Sequence, residues 1–133
     1  MSNVLSESQR LERSCDHLVN VFVADFIQLH WYGSGGEPET EADALIRFIE
    51  QHAAPMLQRA FGKQLPIWLT EFAPNVDVTK ITEAEHTVFI QAVIPKLDAC
   101  DLVERYSYFM AKPSFLNNAD TTLSTAGRAY VLQ

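Results

Sequence analysis

Three short stretches end in side chains suited to chemistry on a sugar: His30-Trp31-Tyr32, Thr70-Glu71-Phe72 and Tyr106-Ser107-Tyr108-Phe109. Aromatic rings stack on the C–H faces of a pyranose, and a nearby carboxylate can stabilise positive charge at an anomeric carbon. Taken alone, the pattern favours a plainer role for Glu71, as a solvated or salt-bridged residue closing an apolar strand, over a catalytic one. Other candidates carry less. His17, His52 and His86 each fall on a helix-like stretch without spaced Asp, Glu or Cys partners, so neither a metal site nor a cofactor is expected. His86, near a helix start, is expected to face solvent. Glu83 and Glu85 would complement the positive end of that helix. Glu104 and Arg105 read as a structural ion pair, and Trp68 as packing. Ser107 with His30 suggests a nucleophilic hydrolase, but no glycine-flanked nucleophile elbow surrounds it.

These groups need elements to hold them. Residues 5–19 have helical spacing, with Ser6 as cap. Residues 21–32 read as an apolar strand ending in His30-Trp31-Tyr32, followed by a loop with Gly33, Gly35, Gly36 and Pro38. Residues 40–61 form a helix capped by Thr40 and striped by Leu45, Ile46, Ile49, Ala53, Leu57 and Phe61. Pro55 should kink or divide it, and Gly62 fits a left-handed stop. Pro66 leads into a strand, 67–72. Residues 82–98 form a helix with the capping-box spacing of Thr82 and Glu85, which Pro95 should bend or restart. A third strand spans 102–110, and after the turn residues Asn117, Asn118 and Asp120 a short helix covers 124–132. Three strands, each preceded by a helix, are expected to be parallel with right-handed crossovers. So few parallel strands leave apolar edges bare, which suggests part of a larger α/β domain and self-association through the exposed sheet edges.

The composition agrees with a globular domain. The chain has 133 residues, 47% hydrophobic and 20% charged, within one domain by size. Ten Lys and Arg against seventeen Asp and Glu give a net charge of -7, which disfavours nucleic acid and anionic membrane surfaces as partners. No apolar run approaches the ~20 residues of a membrane span. The first residues lack the apolar core of a signal peptide, and there is no N-glycosylation sequon. Cys15 and Cys100 form no metal-type pair; they can stand as two thiols or as one bridge.

The motifs also resemble a family. Asp25-Phe26-Ile27-Gln28-Leu29-His30-Trp31-Tyr32-Gly33 is similar to a D-F-hydrophobic-x-hydrophobic-H-W-Y-G strand, and Pro66-Ile67-Trp68-Leu69-Thr70-Glu71-Phe72-Ala73 to a P-I-W-hydrophobic-T-E-F-A strand. Val103-Glu104-Arg105-Tyr106-Ser107-Tyr108-Phe109 resembles V-E-R-Y-A-W-F. Leu116-Asn117 and Thr125-Ala126-Gly127-Arg128-Ala129-Tyr130 resemble a closing L-N…T-x-L-G-x-x-Y segment. These blocks belong, in this order and spacing, to the glycosyl hydrolase catalytic core of glycoside hydrolase family 128, the alkali-sensitive-linkage type. The resemblance divides the chain into an extension, 1–13, and a partial catalytic core, 14–133.

The resemblance implies a (β/α)8 barrel that cleaves β-1,3-glucan with retention, using two glutamates. Of it the chain would hold the C-terminal part, strands six to eight, incomplete and not closed, since a full barrel takes ~250 residues. Glu71 then maps to the nucleophile at the end of strand seven. His30, Trp31 and Tyr32 map to strand six, and Tyr108 and Phe109 to strand eight, as substrate-binding residues. Strand alternation puts His30 and Tyr32 on one face, where either can donate to Glu71 and hold it ionised. Tyr108 stands where the family has Trp, and Met110 where it has Gly. The general acid/base of the family, a Glu in an N-E-P motif on strand four, has no counterpart: no Asn-Glu pair occurs, and Gly36-Glu37-Pro38 has the wrong predecessor. The expectation is therefore a truncated β-1,3-glucanase-type core with weak or no turnover alone and β-glucan as partner. The alternative is a non-catalytic carbohydrate-binding or cell-wall-associated remnant.

Overall fold

The computed structural model describes residues 24–132. The helix expected over 5–19, with Cys15 and His17, lies outside the described residues. Three strands, β1 (Ile27–Tyr32), β2 (Ile67–Ala73) and β3 (Val103–Tyr106), form one parallel sheet in the order β1-β2-β3. Among the described residues the sheet is open, and the outer edges of β1 and β3 are unpaired. The crossovers are α1 (Pro38–Phe48), continued by a π-helical turn (Ile49–Ala53) into α2 (Ala54–Phe61), and then α3 (Glu83–Asp98). A final helix, α4 (Thr125–Val131), packs on α3.

The helices bury one face of the sheet. Ile67, Leu69 and Phe72 of β2 meet Leu45, Ile49, Phe89, Ile90 and Val93, all fully buried. Each such side chain contributes roughly 1.5–3 kcal/mol of burial. Trp68, Thr70 and Glu71 of β2 remain half-buried.

Several local expectations shift. Helix α1 starts at Pro38, with Glu37 as its unassisted cap, so Thr40 lies inside the first turn. Proline's fixed φ and missing N–H suit the first helical position and set the start. The predicted 40–61 helix is divided by the π-helical turn, after which Pro55 occupies the first turn of α2, where no N–H is needed. Gly62 closes α2 in the left-handed region at φ 67°. Thr82 and Glu85 form the expected capping box. Pro95 does not end α3, whose last carbonyls are taken by Ala99 and Cys100 N–H. Strand β3 is shorter than the predicted 102–110. Beyond it Ser107 N–H still donates to Leu69 O at 2.8 Å and Phe109 N–H to Phe72 O at 3.1 Å, so the chain keeps following β2.

Candidate active site

A bulge sets the geometry at the carboxyl ends of the strands. Leu29 pairs with Leu69, but His30 pairs with Glu71, so Thr70 is an extra residue in β2. Strict alternation from Ile67 and Leu69 would send Glu71 into the helix-covered core. The bulge instead puts Thr70 and Glu71 on the open face with Gln28, His30 and Tyr32, and returns Phe72 to the core.

On that face Tyr32 Oη donates to Glu71 Oε2 at 2.5 Å, and His30 Nδ1 lies 3.4 Å from the same oxygen. No protein donor reaches Glu71 Oε1 among the described residues. Burial, then the hydrogen bond to Glu71 and its charge, push the Tyr32 phenol up to about 12, so it remains a donor at neutral pH. The Phe109 ring stands edge-on to Tyr32, centroids 5.7 Å apart. Behind His30, the Gln28 amide nitrogen lies 2.8 Å from His30 Nε2 and donates to Thr70 Oγ1 at 2.8 Å.

A buried carboxylate anchors the loop after β1. Glu41, only 5% exposed, accepts from Ser34 Oγ at 2.5 Å, Ser34 N–H at 3.2 Å and Gly36 N–H at 2.9 Å. Burial works against its ionised form, but the Ser34 hydroxyl and the Gly36 and Ser34 N–H groups outweigh it and hold the carboxyl below its usual range. Gly33 lies between this anchor and the chain after Glu71. A Cβ there would sit 2.3 Å from Glu41 Oε2 and 2.4 Å from Pro74 O. Gly33 N–H donates to Ala73 O and Gly35 N–H to Pro74 O, which ties the loops after β1 and β2 together.

Of the residues singled out in the sequence, His30, Tyr32, Glu71 and Phe109 converge here. Trp31 and Tyr108 do not, because each alternates to the other side of its chain. Trp31 packs on the core and stacks with Phe89. Tyr108, 5% exposed, meets Phe72 and shares a 2.5 Å hydrogen bond with His86 Nδ1. His86 is not solvated as expected but fully buried, and burial lowers its pKa to about 4 despite the Glu85 and Glu83 charges. A helix start faces solvent on only one side, and His86 lies on the inner one. Glu104 and Arg105 do not pair with each other. Glu104 accepts from the Trp68 indole N–H at 2.6 Å and Arg105 lies over its ring at 5.1 Å. Phe26 stacks on that same ring at 3.8 Å, so Trp68 is packed at the amino end of the strands. Gln28 and Glu41 were not singled out beforehand. Gln28 was accessible by alternation from His30; Glu41 had only its first-turn position after a glycine-rich loop. No cluster of three metal-binding side chains occurs, and no helix is long and apolar enough to cross a membrane, among the described residues.

The chain belongs to the glycosyl hydrolase catalytic core family, whose model matches residues 13–130, and the solved structures it is similar to are members of glycoside hydrolase family 128. Its fold is similar to part of a subgroup II endo-β-1,3-glucanase from Sorangium cellulosum, at 24% identity and TM-score 0.65, covering 92% of this chain and 46% of that one. A subgroup I endo-β-1,3-glucanase from Amycolatopsis mediterranei, solved as a glutamate-to-alanine mutant with laminaritriose and laminaribiose, is 26% identical with TM-score 0.62, covering 96% and 52%. A glutamate-to-glutamine mutant of that enzyme, with laminarihexaose, is 27% identical with TM-score 0.64, covering 87% and 48%. The chain thus spans about half the length of these solved structures. No curated protein matches the sequence.

Proposed function

We propose that the chain is the C-terminal part, strands six to eight, of a (β/α)8 glycosidase barrel, and that Glu71 is its nucleophile toward β-1,3-glucan. The observation that carries this is the asymmetry of the carboxylate: Tyr32 and His30 gather on Oε2, while no protein donor among the described residues reaches Oε1. A carboxylate so held keeps one oxygen aimed, as attack on an anomeric carbon requires. His30, Tyr32 and Phe109 line the approach; Trp31 and Tyr108 support it from behind. The laminari-oligosaccharides bound to the Amycolatopsis enzyme support β-1,3-linked glucose as the ligand.

Retaining hydrolysis also needs a carboxylic acid about 5–5.5 Å from the nucleophile to protonate the leaving oxygen. The N-E-P acid that the family resemblance implies has no counterpart in the sequence, so on this reading turnover of glucan draws on an acid from elsewhere. The nucleophile can be tested without it. A dinitrophenyl fluoro-laminaribioside has a leaving group that departs as a stable anion. Attack by Glu71 forms the glycosyl ester as the bond to dinitrophenolate breaks, with no proton transferred. Mass spectrometry should locate the sugar on Glu71, and Glu71→Gln should abolish labelling. Oligosaccharide binding without labelling would favour the second reading, a carbohydrate-binding remnant. Neither binding nor labelling would reject both.

A further inference from the structure

Two groups hold opposite sides of the His30 ring, and both demand the same proton position. The Gln28 amide nitrogen is 2.8 Å from Nε2, and it also donates to Thr70 Oγ1. An NH2 group at that distance needs an acceptor, so Nε2 must carry its lone pair. On the other side, Nδ1 faces Glu71 Oε2 at 3.4 Å. A lone pair there would oppose a carboxylate; a proton there is attracted to it. With Gln28 reversed, its oxygen would draw the ring proton to Nε2 and turn the Nδ1 lone pair toward Glu71, the unfavourable case. Strand pairing builds this arrangement. Gln28 and His30 are two apart on one face of β1, and the bulge brings both Thr70 and Glu71 opposite them.

We propose that Gln28 is a positioning residue that fixes His30 in the tautomer protonated at Nδ1, so that the ring presents a donor to Glu71. Its use in catalysis rests on Glu71 being the nucleophile; the tautomer itself does not. A fixed donor on Oε2 complements the Tyr32 hydroxyl and leaves Oε1 as the reacting oxygen. Thr70 Oγ1 accepts from the same amide nitrogen at 2.8 Å and holds the Gln28 side chain against the ring. The consequence is specific to this chain's residue 28, the position whose type the strand motif leaves unspecified.

The test is nitrogen NMR of the His30 ring in the full chain, at about pH 8, where an ordinary imidazole is neutral. Protonated and unprotonated ring nitrogens resonate far apart. In the native chain Nδ1 should read as protonated and Nε2 as unprotonated. Gln28→Glu puts an acceptor-only group at Nε2, which competes with Glu71 for the ring proton, and the tautomer ratio should move toward Nε2–H. Gln28→Ala removes one hydrogen bond, and the ratio of the two tautomers should move toward Nε2–H by about fivefold. A native ring protonated at Nε2, or one whose state is the same in all three chains, would overturn the proposal. Backbone spectra of the variants report whether each is folded, and Gln28→Glu keeps side-chain length if Gln28→Ala does not fold. Laminarihexaose titrated into the same samples separates the two readings. The tautomer as stated with no sugar binding would count against the glucan site alone, while sugar binding with the wrong tautomer would count against Gln28 alone.

Discussion

Acid should destabilise this fold through His86, well before most carboxylates titrate. The ring is fully buried against Phe115 and Tyr108, and its Nε2 has no hydrogen-bond partner. Burial lowers its pKa from 6.5 to about 4; Lys112 acts in the same direction, and Glu85 and Glu83 oppose it. The unfolded chain therefore binds a proton that the folded chain refuses in the window between 6.5 and about 4. Stability is complete above that window and falls as pH drops through it. Each tenfold step is about 1.4 kcal/mol, so the whole drop amounts to about 3 kcal/mol, a large share of the ~5–15 kcal/mol of a typical domain. Urea unfolding at a pH of about 7.5 and about 4.5 measures roughly 2.5 kcal/mol of it. His86→Gln keeps an acceptor for the Tyr108 hydroxyl but cannot titrate, so its stability should fall by that much less over the same interval. Parallel pH curves for the two chains would refute the argument and place the sensitivity in carboxylates. Glu41 contributes separately and lower. Its carboxyl is depressed, so its contribution is present above its ordinary value of 4.5 and lost only as pH falls through the folded value.

Other perturbations follow from the same contacts. Glu41→Ala strands the Ser34 and Gly36 donors and should cost about 2–3 kcal/mol in urea unfolding; a loss under ~0.5 would show that water replaces the carboxylate. Gly33→Ala forces a Cβ onto the Glu41 carboxylate and Pro74 O, and should lower stability by at least ~1–3 kcal/mol, read as a drop in melting temperature. Ultraviolet titration should show a tyrosine step well above the ordinary range that is lost in Tyr32→Phe and moves lower in Glu71→Gln; an unmoved titration would count against the hydrogen bond between Tyr32 and Glu71.

Much of the architecture was legible because each element carried its own local chemistry. The capping box of Thr82 and Glu85 and the left-handed Gly62 are decided within a few residues, and both stand as read. Parallel pairing followed from helix-length connections. What failed locally failed where a neighbour in space decides. His86 is near a helix start, but Phe115 and Tyr108 close over it from the chain after β3, far away in sequence. Glu104 and Arg105 adjoin in sequence, yet both are drawn to Trp68 on the next strand. Tyr108 reads as a strand-end aromatic, but alternation past Ser107 turns it inward, and only Phe109 reaches Tyr32.

The site itself depends on one residue that no period in the sequence announces. Alternation through Ile67, Leu69 and Glu71 would place the acid among Leu45 and Phe89, where an unpaired carboxylate would be protonated or would unfold the sheet. Thr70 as an extra residue reverses the phase once, so Glu71 comes out on the open face and Phe72 goes in. The cost of the bulge is a locally disrupted ladder, and its hydroxyl finds the Gln28 amide in compensation. Motif resemblance supplied the proposed role of Glu71 without that phase, because a shared block such as P-I-W-hydrophobic-T-E-F-A brings its irregularities with it. Spacing arguments alone locate an acid on a strand; whether it meets a substrate or a core is set by the bulge. The same reasoning makes Thr70 the position to watch. A deletion of that residue would restore strict alternation, and the chain could then keep its sheet register only by burying Glu71 or by exposing Phe72.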